Sequence, residues 1–195
     1  MSKHAALEFA DLRHIYDQSV PGHFATDDYV FFWAGPFSNW HPAKFTMGYN
    51  EGELRKRHEF NCSEQAMMFC KARLFGDHEA ADKILKSKKP GEQKALGRGV
   101  RNYNEEEWVA EREWVVDKIL YQKFTQDAEL KKILLDTGDR TIVEASPYDK
   151  VWGIAMGVDK HPAILDPNNW KGQNLLGKCL MRVRDAIRKE DERTS

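Results

Sequence analysis

The sequence has few of the features that mark secreted or membrane-bound proteins. Only three of its 195 residues are cysteines, an odd number without close spacing, so we expect no disulfide framework and a reducing compartment. No run approaches the roughly 18 apolar residues of a membrane-spanning helix, and the first residues lack an apolar signal core. We therefore expect a soluble, cytoplasmic protein with no membrane partner.

An excess of charge of one sign is also absent. The 30 basic and 31 acidic residues leave a formal net charge of -1, which argues against a protein that holds nucleic acid mainly by neutralising phosphates. A local basic patch at Arg55, Lys56 and Arg57 remains an alternative to a solvated turn. His78 and Asp82 lack the second histidine of a metal-binding helix, and no zinc-ligand spacing occurs. We expect neither a metal nor a cofactor.

The overall composition is that of a folded domain. Hydrophobic residues make up 41% and charged residues 31% of a chain whose 195 residues allow one sizeable core. Residues 1–28 are predicted to form a polar N-terminal extension and residues 29–195 the main domain. Helix signals outnumber strand signals, so we predict an α+β fold that is compact and mostly helical, with a few short strands.

Three short segments have strand character. Tyr29–Trp33 is an aromatic and β-branched run that Gly35-Pro36 ends, and Thr141–Ala145 is similar. Between them, Met47–Gly52 has the residues of a turn and His58–Phe60 those of the returning strand. This pattern predicts a hairpin in the first third of the chain.

Helical periodicity predicts six helices. The clearest, at residues 105–124, follows Asn104, which forms a capping-box-like start with Glu107. Either Asn61 or Ser63 can cap the first helix. The predicted ranges are 63–75, 79–87, 90 to 97 or 99, 105–124, 127–136 and 174–188.

Glu64 and Lys71 are the candidate catalytic pair. Their separation of seven residues is nearly two helical turns, which places them on one side with Cα atoms roughly 10 Å apart. Met67–Phe69 make the helix apolar, so inward-facing Glu64 and Lys71 would be desolvated and tied to each other. Desolvation favours the neutral amine, a nucleophile toward a carbonyl. The alternative is a surface pair, or side chains that snorkel to solvent.

A second candidate segment runs from Glu144 to Ile154. The strand meets Ser146-Pro147, and the chain then presents Asp149 and Trp152 in a loop, where rigid scaffolds often display functional groups. Asp149 can take a pair of ribose hydroxyls, and Trp152 can lie against a sugar or base. A turn-capping Asp149 and a core Trp152 are the alternative.

Other candidates are supported less strongly. Ser38, Asn39 and Trp40 form a polar loop that can donate to a ligand, and Arg98 between two glycines can approach phosphate. Trp108 is assigned to substrate binding because aromatic rings make flat walls for bases and sugars.

Cys62 lies just before a helix N-terminus, which favours a thiolate. A buried, inert thiol is the alternative.

Five ordered blocks give the chain a resemblance to the NADAR family, which includes YbiA-like N-glycosidases, across roughly residues 29–189. The blocks are Gly35–Trp40, Ser63–Ala72, Ala95–Arg98, Ala145–Ile154 and Asn174–Gly177. The resemblance implies a mostly helical α+β domain that hydrolyses N-glycosidic bonds. It maps the family's acid, lysine and Asp-x-x-Trp positions onto Glu64, Lys71, Asp149 and Trp152.

The chain departs from the bacterial pattern in three places. Gln65 stands where many members have a histidine, which puts a proton role there in doubt. The segment between Pro42 and His58 is longer and more charged, and residues 1–28 have no counterpart in the minimal domain. The last two departures would suit a larger substrate.

The resemblance implies two substrate classes, guanine carrying ADP-ribose and the ribosylamino-pyrimidines of riboflavin synthesis. We expect the first, as a nucleoside or in DNA or RNA, with Lys71 forming a Schiff base and Glu64 moving protons. Asp149 and Trp152 would hold the sugar, and Arg98 with the Ser38-Asn39 loop the phosphate. A module that binds ADP-ribose or NAD without cleaving it is the alternative from another class, and a purely structural protein is a third.

Overall fold

The computed structural model describes residues 24–51 and 54–194. These residues form two compact units. The first unit contains the described residues up to Ser38 and those from Ala128 onward, and the second unit is Asn39–Asp127. Most of the predicted extension, residues 1–23, lies outside the described residues. Helices outnumber short strands, so the predicted α+β class is confirmed.

The first unit is built on a three-stranded sheet of β1 (Phe24–Ala25), β2 (Tyr29–Phe32) and β5 (Thr141–Glu144). Strand β2 lies between the others, antiparallel to β1 and parallel to β5. The middle residues of β2 and β5 are apolar and buried, as expected of parallel strands covered on both faces. The two strands predicted here are confirmed, each ending one residue earlier than predicted.

Two α-helices, α5 (Ala128–Leu135) and α6 (Leu175–Thr194), and three short 3-10 helices, at Val158–Lys160, Ala163–Leu165 and Pro167–Asn169, complete the described part of this unit. A Cβ on Gly177 would lie 2.1 Å from the Ile142 carbonyl oxygen, so only glycine allows α6 to approach β5 this closely. The Asn174 side chain donates to that same carbonyl (2.9 Å) and accepts from the Glu144 amide (2.9 Å). The Asn174–Gly177 block therefore fixes helix to sheet.

Helix α6 continues beyond its predicted end at Arg188. Arg184 donates to the Thr137 hydroxyl (2.9 Å) and to the Arg140 carbonyl (2.8 Å), and Arg188 donates to the Gly138 carbonyl (2.7 Å). These bonds hold the turn between α5 and β5 against the helix. The last turn, to Thr194, is polar, so the apolar stripe used for the prediction ended too early.

The second unit begins with a hairpin of β3 (Phe45–Glu51) and β4 (Leu54–Phe60), paired from Phe45 with Phe60 to Glu51 with Leu54. The hairpin is confirmed. Of the segment Met47–Gly52 that was predicted to carry the turn, Met47–Glu51 belong instead to β3, and Gly52 lies outside the described residues. Cross-strand pairing overrides the turn preference of the residues in that segment.

The basic patch falls on this hairpin. Lys56 and Arg57 are exposed on β4, and Arg57 donates to the Thr46 hydroxyl at 2.9 Å. The expectation of a basic turn is therefore wrong, because these residues continue the strand.

Four helices follow, namely α1 (Ser63–Leu74), α2 (His78–Lys86), α3 (Pro90–Arg98) and α4 (Glu105–Thr125). Asn104 caps α4 as predicted, its side chain accepting from the Glu107 amide at 2.9 Å. Gly76 has a φ of +69° just after α1, which confirms its role as a helix stop. The cap of α1 is Cys62, so the prediction of Asn61 or Ser63 is wrong.

Candidate active site

The N-terminus of α1 is fixed by a buried polar network. The Gln65 side chain accepts from the Asn61 amide (2.8 Å) and donates to the carbonyls of Ile84 (2.9 Å) and Ser87 (3.0 Å). Gln93 also donates to the Ser87 carbonyl, at 3.0 Å. These bonds tie α1 to the segment that joins α2 to α3, so Gln65 has a structural role.

Cys62 belongs to the same network. Its thiol lies 3.2 Å from the Gln93 side-chain oxygen, and it accepts from the Gln65 amide at 3.5 Å. Burial, the largest cause, raises the pKa of the Cys62 thiol, although the backbone hydrogen bond from Gln65 opposes it. Burial favours the alternative of a buried thiol over the thiolate hypothesis, and the inertness of this thiol stays a prediction.

Glu64 occupies the first turn of α1 and is only 3% exposed. Its backbone amide donates to the Asn39 carbonyl at 2.8 Å, which joins the helix to the loop that contains Asn39 and Trp40. The inward orientation expected for Glu64 is confirmed. Its proton-transfer role stays a prediction.

Lys71 lies almost two turns further along α1 and is half-buried. Its Nζ is 4.0 Å from the centroid of the Tyr103 ring and 5.8 Å from that of Trp108. Burial lowers the pKa of Lys71, the negative charge of Glu105 raises it, and the positive charge of Arg98 lowers it. The lysine amine is therefore partly desolvated between aromatic rings, which is the environment expected of a nucleophilic lysine.

The charges that act on Lys71 differ from those expected. We expected Glu64 to be its partner, but the opposite charge that raises the pKa of Lys71 is that of Glu105, and a pairing with Glu64 stays a prediction. Tyr103 donates from its hydroxyl to Glu105, and this bond adds to the burial that raises the Tyr103 pKa to about 12. Tyr103 and Glu105 were not predicted from the sequence.

Arg98 comes near this amine because α3 packs closely on α1. A Cβ on Gly97 would lie 1.9 Å from the Met68 sulfur, so a larger residue would displace α3 or Met68. Trp108, on α4, is 7% exposed. The structure therefore brings together three of the predicted site residues, Lys71, Arg98 and Trp108.

The loop before the hairpin presents an aromatic surface in the same unit. Trp40 is 47% exposed, and Lys94 Nζ lies 5.8 Å from its ring centroid. Asn39 next to it is buried. Lys94 and Arg98 are four residues apart on α3 and share one face.

The loop after β5 in the first unit is held by its own side chains. The Ser146 hydroxyl accepts from the Asp149 amide (3.2 Å), and Asp149 Oδ1 accepts from the amides of Val151 and Trp152 (both 2.8 Å). The turn-capping alternative for Asp149 is confirmed. Ribose contacts from Asp149 and the half-buried Trp152 stay predictions.

One more predicted site residue and one unpredicted aromatic pair lie in this unit. Ser38 is buried, and its amide donates to the Gly35 carbonyl at 3.0 Å. Trp33 and Tyr148, 45% and 84% exposed, have ring centroids 6.3 Å apart. This exposed pair was not predicted from the sequence, because Trp33 was assigned to the strand.

A buried lysine was also missed. Lys123 on α4 is 1% exposed, and burial lowers its pKa to about 7, while Cys62 has a smaller opposing effect. Burial lowers the pKa of His41 to about 4, and the positive charge of Lys123 adds to this lowering. Lys123 lies four residues after Ile119, on the buried face of α4, so helical periodicity was the available signal.

Residues 24–51 and 54–194 contain no group of three or more His, Cys, Asp or Glu side chains placed to hold a metal ion. No helix within these ranges is long and apolar enough to cross a membrane.

The chain is similar to a known protein family and to several known proteins. The NADAR domain family model matches residues 31–188. An N-glycosidase of Acanthamoeba polyphaga mimivirus is 43% identical over 169 residues, which cover 82% of this chain and 96% of that protein. The protein irg-1 of Caenorhabditis elegans is 38% identical over 160 residues, which cover 77% and 74%. The NMR structure of Escherichia coli YbiA matches with a TM-score of 0.65 and 26% identity, covering 91% of this chain and 94% of that one.

Proposed function

This chain belongs to the NADAR domain family and is an N-glycosidase, a hydrolase of N-glycosyl bonds, and we propose that it removes ADP-ribose from ADP-ribosylated guanine. The reaction proceeds through a Schiff base on Lys71. The observation that supports this most directly is the half-buried Lys71 amine, 4.0 Å from the Tyr103 ring centroid, whose pKa burial lowers.

Hydrolysis in this proposal takes two steps. The neutral Lys71 amine adds to the anomeric carbon, the bond from that carbon to the base nitrogen breaks, and the base leaves with a proton from Glu64. The Lys71 nitrogen then loses a proton to the Glu64 carboxylate. The bond from the anomeric carbon to the ring oxygen breaks, the ring oxygen takes that proton from Glu64, and the open-chain, protonated imine forms. Water adds to the imine, releases the sugar aldehyde and regenerates the amine.

Contacts in the second unit favour a long substrate with two bases over a small pyrimidine. Trp40 offers an exposed ring, Lys94 and Arg98 offer positive charge along one face of α3, and Trp108 lies beside Lys71. The proposed substrate consists of a base, a diphosphate and a second base in linear order. Aromatic rings can stack on its bases, and lysine and arginine can bind its phosphates. Ser38, Asn39, Asp149 and Trp152 stay predicted substrate contacts.

The test is to incubate the protein separately with ADP-ribosylated guanosine and with a ribosylamino-pyrimidine, and to follow base release by chromatography. We expect guanosine release to be faster, and Glu64→Gln to abolish it while ligand affinity is retained. Faster pyrimidine release would assign the metabolite substrate instead. Tight ADP-ribose binding with no base release from either compound would replace the enzymatic proposal with a binding role.

A further inference from the structure

Arg112 is a buried arginine on α4 that the proposed reaction does not use. It is 9% exposed and belongs to the buried stripe that also contains Trp108, Val115 and Val116. A charged side chain that leaves water loses hydration free energy, and it recovers this loss only when an opposite charge and hydrogen-bond acceptors meet it. A partner for the Arg112 guanidinium is therefore expected.

Residues 24–51 and 54–194 provide no such partner. The Nε of Arg112 is buried without a hydrogen bond, and its other nitrogens donate to no acceptor within these residues. Arg140 and Arg184 also have a buried Nε without a hydrogen bond, but each donates through another nitrogen, to the carbonyls of Thr137 (3.3 Å) and Arg140 (2.8 Å). Arg112 thus differs from the arginines that hold the fold together, and a bound ligand can supply the acceptor that it lacks.

Arg112 lies beside the part of α1 that carries Lys71. The Trp108 ring centroid is 5.8 Å from Lys71 Nζ. Burial raises the pKa of the Cys62 thiol, before α1, and the positive charge of Lys123, near the end of α4, opposes this rise. The two helices therefore run antiparallel. Arg112 follows Trp108 by one turn on the same side, about 6 Å further towards the start of α1.

Tyr103 connects Arg112 to the amine of Lys71. Burial and the bond to Glu105 raise the pKa of the Tyr103 hydroxyl to about 12, and the nearby positive charge of Arg112 acts against this rise. The same ring has its centroid 4.0 Å from Lys71 Nζ. A ligand whose reacting carbon meets Lys71 therefore has neighbouring groups within reach of Arg112.

The chemistry of the guanidinium favours a phosphate as this ligand group. Its planar set of donors forms paired hydrogen bonds with phosphate oxygens. A neutral base would leave the buried positive charge of Arg112 uncompensated, whereas a phosphate brings a full negative charge. In ADP-ribose, a phosphate is joined to C5 of the ribose whose anomeric carbon Lys71 attacks in the proposed reaction.

We propose that Arg112 binds the phosphate on C5 of the ribose and thereby holds the anomeric carbon against Lys71. The inference deepens the proposed function and rests on it for the identity of the sugar. Arg112 is a binding residue here and takes no part in proton transfer. Arg98, which is predicted to hold phosphate from α3, would meet the other phosphate of ADP-ribose.

The test measures binding of ribose 5-phosphate by phosphorus NMR titration. Hydrogen bonds to a charged group are stronger than those between neutral groups, so we expect Arg112→Gln to weaken binding about 10- to 100-fold. Arg112→Lys keeps the charge but lacks the planar set of donors, and it should recover part of the affinity. The matched control Lys118→Gln removes an exposed positive charge from the same helix and should bind like the unaltered protein.

The ligand's effect on stability separates binding from a role in the fold. Ribose 5-phosphate should raise the urea midpoint of the unaltered protein and of Lys118→Gln, but not that of Arg112→Gln. Unsubstituted ribose should raise none of them. Equal affinity for ribose 5-phosphate in Arg112→Gln and the unaltered protein, an equal loss in Lys118→Gln, or no binding to the unaltered protein would overturn the proposal.

A measurement on the unaltered protein decides the case if the Arg112 variants do not fold. The Nε–H signal of Arg112 in the nitrogen–proton NMR spectrum should shift when ribose 5-phosphate is added and stay in place with ribose. No shift, or the same shift with ribose, would overturn the proposal. None of these measurements follows base release. Binding through Arg112 without base release would reject only the hydrolysis, and base release without such binding would reject only this inference.

Discussion

The buried Lys123 gives a quantitative prediction about stability and pH. Burial lowers the pKa of this lysine from 10.5 to about 7 in the folded protein. Between these two values the lysine is neutral in the folded chain but protonated in the unfolded chain. The unfolded state then binds one more proton, so the free energy of unfolding rises with pH across this window.

The size of the effect follows from the same shift. One proton of difference corresponds to about 1.4 kcal/mol per pH unit. We therefore expect the free energy of unfolding of the unaltered protein, minus that of Lys123→Met, to increase by about 2.5 kcal/mol from pH 7.5 to 9.5. Urea denaturation in the presence of a thiol reductant measures both values at each pH.

The control is Lys118→Met, which removes an exposed lysine from the same helix. Its difference from the unaltered protein should stay constant over the same pH range. A Lys123→Met difference that is equally flat would refute the reasoning, because it would mean that the lysine keeps its ordinary pKa in the folded protein.

Three further predictions concern the site and the fold. Glu105→Gln removes the negative charge that raises the pKa of Lys71, the proposed nucleophile. The acid limb of the pH–rate profile should therefore move to lower pH by less than one unit. The control Glu106→Gln should leave this limb in place. Trp40→Ala should raise KM for ADP-ribosylated guanosine about tenfold through lost stacking, whereas Trp114→Ala, an exposed tryptophan with a similar lysine contact, should not. Gly177→Ala should lower the free energy of unfolding by about 1–3 kcal/mol in urea denaturation, because its Cβ would meet a strand carbonyl oxygen.

Local patterns were sufficient to predict the helices. The stripe Trp108, Val115 and Ile119 on α4 has helical spacing, and Asn104 caps that helix through a contact three residues away. Both signals lie within a few residues along the chain, so the sequence alone reveals them.

The misassigned elements depend on contacts that are distant in sequence or on an unusual residue. Met47–Glu51 have turn residues, but pairing with β4 extends them into a strand. Cys62 replaces the expected Asn61 or Ser63 as the cap of α1, and the Asn61 side-chain oxygen instead accepts from the Gln93 side chain. Helix-capping propensity cannot show which of several neighbouring polar residues caps the helix and which joins the buried hydrogen-bond network.

The candidate site was predicted in part. Glu64 and Lys71 were found because two turns of one helix place them on the same side, and both are at least half-buried. Tyr103 and Glu105 were missed because they reach Lys71 only when α4 packs against α1. The turn-capping role of Asp149 could not be separated from ligand binding, since both use a loop carboxylate.

The most direct test of the account is reductive trapping on Lys71. The protein is mixed with ADP-ribosylated guanosine and sodium borohydride, digested, and analysed by mass spectrometry. We predict a sugar adduct on the peptide that contains Lys71, absent without substrate, together with loss of guanosine release in Lys71→Ala. Undiminished guanosine release by Lys71→Ala, with no adduct on Lys71 in the unaltered protein, would contradict it.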